Sequence, residues 1–278
     1  MRAVAYCADN SEYLRRAAVS ALSLHAVSPG LFERVYFLIP HELNHLFFTL
    51  TSRMPSELAT RVRAIDLDSR ALSGLFVDKW ASSATYGRLL LPELVEENVA
   101  FLLYVDADTM FVDEVSELAL VCPLLAITGL PFAAVAHTNL DLVDQVRLAR
   151  IGVDPRSHLS AGVLLINVKQ WRSQEISKRA LEIVRRMGNR LQYWDQDALN
   201  ILQGSQYFLL AGRYNNLWNE SLSNPAIIHY AGPNKPSWRP AAFPADDKHW
   251  EYWRSTLSSG ERIFLEIARY LRRFQLSM

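Results

Sequence analysis

The chain has 278 residues, with 29 Lys+Arg set against 29 Asp+Glu and half of its residues hydrophobic. This is the composition of a folded globular chain long enough to bury a sizeable core, which excludes a disordered or fibrous protein. A formal net charge of zero excludes an all-over electrostatic nucleic-acid binder, which needs a basic footprint.

In chain order, residues 3–8 form an apolar run of strand length. Asp9-Asn10-Ser11 supplies turn or cap chemistry, and Tyr13, Leu14, Ala17, Ala18, Ala21 and Leu22 then recur at helical spacing until Pro29-Gly30. Residues 35–39 predict a second strand, 41–53 a second helix and 61–67 a third strand. Residues 82–95 read as a helix that Pro92 kinks or bounds. Residues 101–105 predict a central strand, and 130–136 and 162–167 two more. Basic residues mark a helix over 172–187, another helix covers 196–202, and 226–230 is a last short strand. Alternating strands and helices predict an α/β fold with a mostly parallel sheet.

Two cysteines, Cys7 and Cys122, are too few for a disulfide framework or a zinc ribbon, so a reduced compartment is expected. The N-terminal apolar run meets Asp9 too early for a secretory signal. No apolar stretch reaches the ~18–20 residues of a spanning helix. A cytoplasmic location is therefore expected.

The sharpest feature is Phe101-Leu-Leu-Tyr-Val-Asp106-Ala107-Asp108, two carboxylates at the carboxyl end of a predicted strand. Ligands bind at that edge of open α/β sheets. Two acids held there want a hard cation, Mg²⁺ or Mn²⁺, shared with a substrate phosphate. Alone, the pattern is also that of a solvated strand-end turn. With Thr109 it further matches the Asp-x-Asp-x-Thr of haloacid dehalogenase-like phosphatases, whose first Asp is a nucleophile, and Asp246-Asp247 would be the later acidic pair. That motif usually opens its fold, whereas three predicted strands precede it here.

Four further blocks accompany the acids: Asp9-Asn10 at the first strand's end, Arg88 on the preceding helix, Ser160-Ala-Gly162 leading a strand, and Trp194-Asp195-Gln196-Asp197 opening a helix. After the last strand comes His229-Tyr-Ala-Gly232-Pro-Asn-Lys235. In this order and spacing, the set resembles glycosyltransferase family 8, retaining enzymes that include bacterial lipopolysaccharide galactosyl- and glucosyltransferases, over residues 4–238.

The resemblance implies a GT-A nucleotide-sugar transferase fold over residues 1–250, a helical basic and aromatic tail over 251–278, and a UDP-hexose donor. It implies Asp106, Asp108 and His229 as metal ligands, a set that suits Mn²⁺, with Mg²⁺ as the alternative. It places Ala8, Asp9 and Asn10 on the uridine and ribose, with Tyr13 a weaker candidate. Arg88, Ala107 and Ser160 fall in the donor site, and Gly232 and Lys235 on the diphosphate. Asp195 and Gln196 fall beside the transferred sugar as the catalytic pair. Asp195 equally fits an N-cap carboxylate, and Asp197 a first-turn dipole partner. Asn167 and Asn200 read as structural hydrogen-bonders.

Two positions depart from the family pattern. Ser160 stands where Asn is usual, which bears on donor choice, and His137 stands where a loop acid is common, which bears on the acceptor. The implied reaction is a front-face substitution that transfers glucose or galactose to a saccharide or glycolipid acceptor, as in lipopolysaccharide or other surface glycan synthesis. A non-catalytic UDP-sugar-binding protein is the remaining alternative. In the tail, Ile263, Phe264, Ile267, Tyr270, Leu271 and Phe274 share one helical face with Arg262, Arg269, Arg272 and Arg273 beside or opposite it. That pattern suits either peripheral contact with the inner membrane or packing on the domain.

Overall fold

The computed structural model describes residues 1–68, 72–76, 83–137, 140–220 and 222–231. Strand β1 (Arg2–Cys7) carries five consecutive buried residues, as a central strand covered on both faces should. Asn10 then caps helix α1 (Ser11–Val27), its side chain accepting from the Glu12 and Tyr13 backbone N–H groups. Strand β2 (Arg34–Ile39) follows. The helix expected over 41–53 begins with a 3-10 turn, His41–Leu43, and continues as α2 (Asn44–Thr51). A single turn, α3 (Ser56–Ala59), leads into β3 (Val62–Asp66).

Helix α4 (Ser83–Leu94) runs through Pro92 rather than ending there. Its C-terminal carbonyls are met from outside, because Arg172 donates to Pro92 O at 2.7 Å and to Val95 O at 2.9 Å. Next come β4 (Phe101–Val105), β5 (Thr109–Phe111), α5 (Leu118–Thr128), β6 (Phe132–Ala136) and α6 (Leu142–Arg150). Strand β7 (Leu159–Asn167) is longer than the 162–167 expected. The basic helix expected over 172–187 is two helices, α7 (Val168–Ser173) and α8 (Ile176–Met187), separated by Glu175 at φ 51°. Helix α9 (Trp194–Gln203) and strands β8 (Phe208–Leu210), β9 (Asn216–Leu217) and β10 (Ile227–His229) complete the described elements.

Seven strands form one sheet in the order β3-β2-β1-β4-β7-β6-β8. The pairs β1·β2, β2·β3, β1·β4 and β6·β8 are parallel, while β7 runs antiparallel to both β4 and β6. This is the mixed, mostly parallel sheet expected. The antiparallel register sets Val105 opposite Val163, so the end of β4 meets the start of β7 at one edge. A second, three-stranded sheet, β5-β10-β9, stands beside that edge. Under the sheet, Trp171, Tyr86, Phe132 and Leu89 are closed to solvent. Trp171 Nε1 donates to Ser177 Oγ, so the one polar atom of that large ring is satisfied.

The chain divides into units 1–233 and 234–278. Gly232, Lys235, Asp246, Asp247 and the tail over 251–278 all lie outside the described residues.

Candidate active site

Strand β4 stops at Val105, and the turn after it is pinned at both ends. Asp106 N donates to Gly162 O at 2.8 Å, while Thr109 returns its N–H and its hydroxyl to Asp106 O at 3.2 and 2.8 Å. The turn holds Asp106 and Asp108 against a cavity of 710 Å³, which Asp9, Arg88, Ser160, Asp195, Gln196 and His229 also line. That volume is typical of a small-ligand site. Ala8, Asn10, Tyr13 and Ala107 line it as well. Asn10 is not free to read a ligand with its side-chain oxygen, which is committed to the α1 cap, and its amide donates to Asp9 Oδ1.

His229 arrives from more than a hundred residues later because β10 pairs antiparallel with β5, opposing His229 to Thr109. Its Nε2 lies 3.4 Å from both Asp106 Oδ2 and Asp108 Oδ1. The ligand atoms of these three residues all lie within 4.8 Å of one another. Two carboxylates closing on one buried imidazole form a hard, mixed O/N donor set that fits a divalent cation with positions left for substrate oxygens. Gly162 makes the approach possible, since a Cβ there would fall 2.3 Å from His229 Cε1 and 3.1 Å from Asp106 Oδ2.

Arg88 is a buried residue, not the surface helix arginine that α4 could have carried. Its Nη2 lies 3.0 Å from Asp106 Oδ1, and its Nη1 donates to Ala161 O at 2.6 Å. Its Nε lies 2.6 Å from Asp195 Oδ2, an ionic contact off the N–H axis, since the same N–H points at Thr85 O and Asp195 Oδ2 accepts no aligned hydrogen bond. The guanidinium also covers the Tyr104 ring at 4.8 Å. Burial works against its charge, but Asp106 and Asp195 outweigh that and raise its pKa. Burial pushes the Asp195 carboxyl up to about 7 even though Arg88 opposes it, and Asp106 adds to the rise.

Asp195 is not the helix N-cap. That position belongs to Tyr193, with no side-chain cap bond. The cap-like work falls to Asp197, which accepts from Gln192 N and Tyr193 N and pairs with Arg147 Nη1 at 2.8 Å. Trp194, at φ 31°, holds the turn that presents Asp195 and Gln196 to the cavity. Asn167 and Asn200 are structural as read: Asn167 caps α7, and Asn200 brackets Leu159 through its N–H and its carbonyl.

Gln196 Oε1 accepts from Ala161 N at 3.0 Å, and its Nε2 lies 3.3 Å from His158 Nε2. His158 is buried, and burial, with His137 beside it, pulls its pKa down to about 4. The His137 ring is stacked on it at 6.0 Å. Ser160 Oγ accepts from Asn215 Nδ2 at 2.9 Å.

Tyr104, His158, Tyr193 and Asn215 were not found from the sequence. Tyr104 sits two residues before Asp106 and donates its hydroxyl to Asp106 Oδ1 at 2.6 Å. A polar-tipped side chain inside an apolar strand, in phase with a site residue, was the available signal. The other three carry no local pattern.

The family model "Glycosyl transferase family 8" matches residues 3–241. The lipopolysaccharide 1,2-glucosyltransferase of Escherichia coli K12 is 24% identical over 87% of this chain and 74% of its own length. The lipopolysaccharide 1,3-galactosyltransferase of Salmonella typhimurium is 28% identical over 66% of this chain and 59% of its own. The chain spans about half, 49%, of a Haemophilus influenzae relative that is 30% identical over 172 residues. Among solved structures, galactosyltransferase LgtC in complex with donor and acceptor sugar analogues superposes with a TM-score of 0.74 and 25% identity, over 94% of this chain and 99% of that one. The fold is therefore GT-A. The phosphatase alternative falls with it: Asp106 follows three strands of a transferase sheet, tied to Tyr104 and Arg88. By its sequence over residues 3–241 and by its fold, the chain is a member of glycosyltransferase family 8.

Proposed function

We propose that this glycosyltransferase is a metal-dependent, retaining hexosyltransferase that moves glucose or galactose from UDP to a saccharide acceptor in surface glycan synthesis. The observation that carries the reading is the cluster of Asp106, Asp108 and His229 in a cavity that Arg88, Asp195 and Gln196 also line. The names of the Escherichia coli and Salmonella relatives support a hexose and a lipopolysaccharide-type acceptor.

Asp106, Asp108 and His229 would hold Mn²⁺, with Mg²⁺ as the alternative. Bound there, the cation would supply charge for the leaving diphosphate. Ala8 and Asp9 would contact the nucleoside, and Ser160 the sugar. Lys235 would add a cationic contact to the diphosphate, with Gly232 allowing close approach. Arg88 keeps Asp106 and Asp195 fixed relative to each other. Asp195 and Gln196 face the space a hexose would fill, where a carboxylate and an amide orient its hydroxyls and offset positive charge at C1. Gln196 is a poor nucleophile, which favours front-face attack by the acceptor hydroxyl. His137, on the cavity wall, would contact the acceptor. Among the described residues no helix is long and apolar enough to cross a membrane. We assign any membrane contact to the basic, aromatic segment 251–278, following a catalytic domain over 1–250. Removing residues 260–278 should leave turnover and lower binding to anionic vesicles.

The test is incubation with Mn²⁺ and a panel of UDP-sugars, following UDP and inorganic phosphate together. UDP release with a hexose donor, lost in Asp106→Asn, is the expected result. Phosphate release without UDP, or full activity in the variant, overturns the reading.

A further inference from the structure

We infer that Asn215 is a positioning residue that fixes the tautomer of His229 and ties that ring to Ser160. The inference rests on the metal-site reading above. Asn215 ends a 3-10 turn, Gly212–Asn215, and is 4% exposed. Both ends of its amide are used: Nδ2 donates to Ser160 Oγ at 2.9 Å, and Oδ1 lies 2.9 Å from His229 Nδ1.

An amide side chain has one donor end and one acceptor end. With the donor end on Ser160, the carbonyl faces His229, so Nδ1 carries the ring proton. In the neutral ring Nε2 then keeps its lone pair, and Nε2 is the nitrogen 3.4 Å from both Asp106 Oδ2 and Asp108 Oδ1. That is the form an imidazole needs to bind a cation. The reversed amide would aim an NH₂ at Nδ1 and leave the proton on Nε2, between the carboxylates, where it would block a metal. The absence of a side chain at Gly162 leaves the space that the ring occupies.

The second consequence concerns Ser160. A hydroxyl that accepts from Asn215 keeps its own hydrogen to donate. Ser160 lines the main cavity and a neighbouring one of 400 Å³ in which Asn215 also lies. A sugar hydroxyl that takes this hydrogen bond is connected through one amide to the metal ligand.

The test is titration calorimetry of the full chain with Mn²⁺ alone, no nucleotide present. Asn215→Ala should weaken Mn²⁺ by about 10–100-fold, the usual effect of removing the partner that orients a metal-binding histidine. Asn215→Leu keeps the volume without the acceptor and should lose as much, which covers the case in which the alanine variant does not fold. Asn215→Asp keeps an acceptor for Nδ1–H, as a carboxylate partner does, and should escape that loss of about 10–100-fold. A folded alanine or leucine variant that binds Mn²⁺ like the parent overturns the inference, as does equal loss in the aspartate variant. If the parent itself binds no Mn²⁺, the metal reading fails first, and this inference with it.

Discussion

Arg88 Nε stands 2.6 Å from Asp195 Oδ2 with both side chains nearly closed to solvent. The same guanidinium reaches Asp106 and Ala161 O, so one planar group ties the acid that ends β4 to the acid that opens α9.

Lysine cannot reproduce that three-way contact, because an ammonium is a point charge on a flexible stem. Arg88→Lys should lower kcat/KM by about 100-fold or more, close to 3 kcal/mol. Arg88→Met strands buried carboxylates and should cost about 3–5 kcal/mol of stability, read from urea unfolding. Near-parent activity in the lysine variant would show that charge alone suffices.

Asp195 predicts a stability that depends on pH in an unusual direction. Its folded pKa, about 7, lies above the ordinary carboxyl value of 3.8, so the folded state holds the proton more tightly. This group's contribution is fully present below the unfolded pKa, is lost as pH rises through the folded pKa, and is flat above. Asp195→Asn keeps the shape without the charge. In metal-free protein it should be more stable than the parent by about 1–3 kcal/mol at pH 8 and about equal near pH 4, while losing transfer activity. A parent that is the more stable at pH 8 would mean that attraction to Arg88 exceeds the cost of burial.

His158 predicts the opposite sign. Its folded pKa, about 4, lies below the ordinary 6.5, so the unfolded chain takes up a proton that the folded chain refuses. Stability from this group is present above pH 6.5 and is lost as pH falls towards 4. Measured against the parent, His158→Gln should be most destabilised at pH 7, and the gap should shrink by about 1–3 kcal/mol by pH 4. A gap independent of pH would mean that His158 is charged in the fold or reachable by solvent. Because His158 also faces Gln196 Nε2, kcat should fall at pH 7 with little change in KM for the donor.

Strands β1, β2 and β4 were legible because buried parallel strands are written as unbroken apolar runs. Helix α5 was not: LALVCPLLAIT has neither polar alternation nor a side-chain cap, and Pro123 sits inside it. The split between α7 and α8 was also hidden, because Glu175 takes a left-handed backbone that its residue type does not advertise. In the site, Asp106, Asp108, Arg88, Asp195 and Gln196 were found as sequence blocks. Asn215 was not, since its role comes from meeting Ser160 and His229, which lie on two other elements of the fold. Gly162 was marked only as leading a strand, and its reason, room for His229, exists only in three dimensions.

The pairing of β10 with β5 has a consequence in time. His229 joins Thr109 across more than a hundred residues of chain, and Asp108 O accepts from Tyr230 N. A ribosome that has released only the first two hundred residues has made β1, β4 and Arg88 but not the three-residue cluster. Closing so long a loop is among the slower events available to a folding chain. A nascent copy, or one clipped before His229, therefore has most of the cavity walls without the Asp106–Asp108–His229 corner, and on the proposed function cation uptake would report that synthesis has run past residue 229.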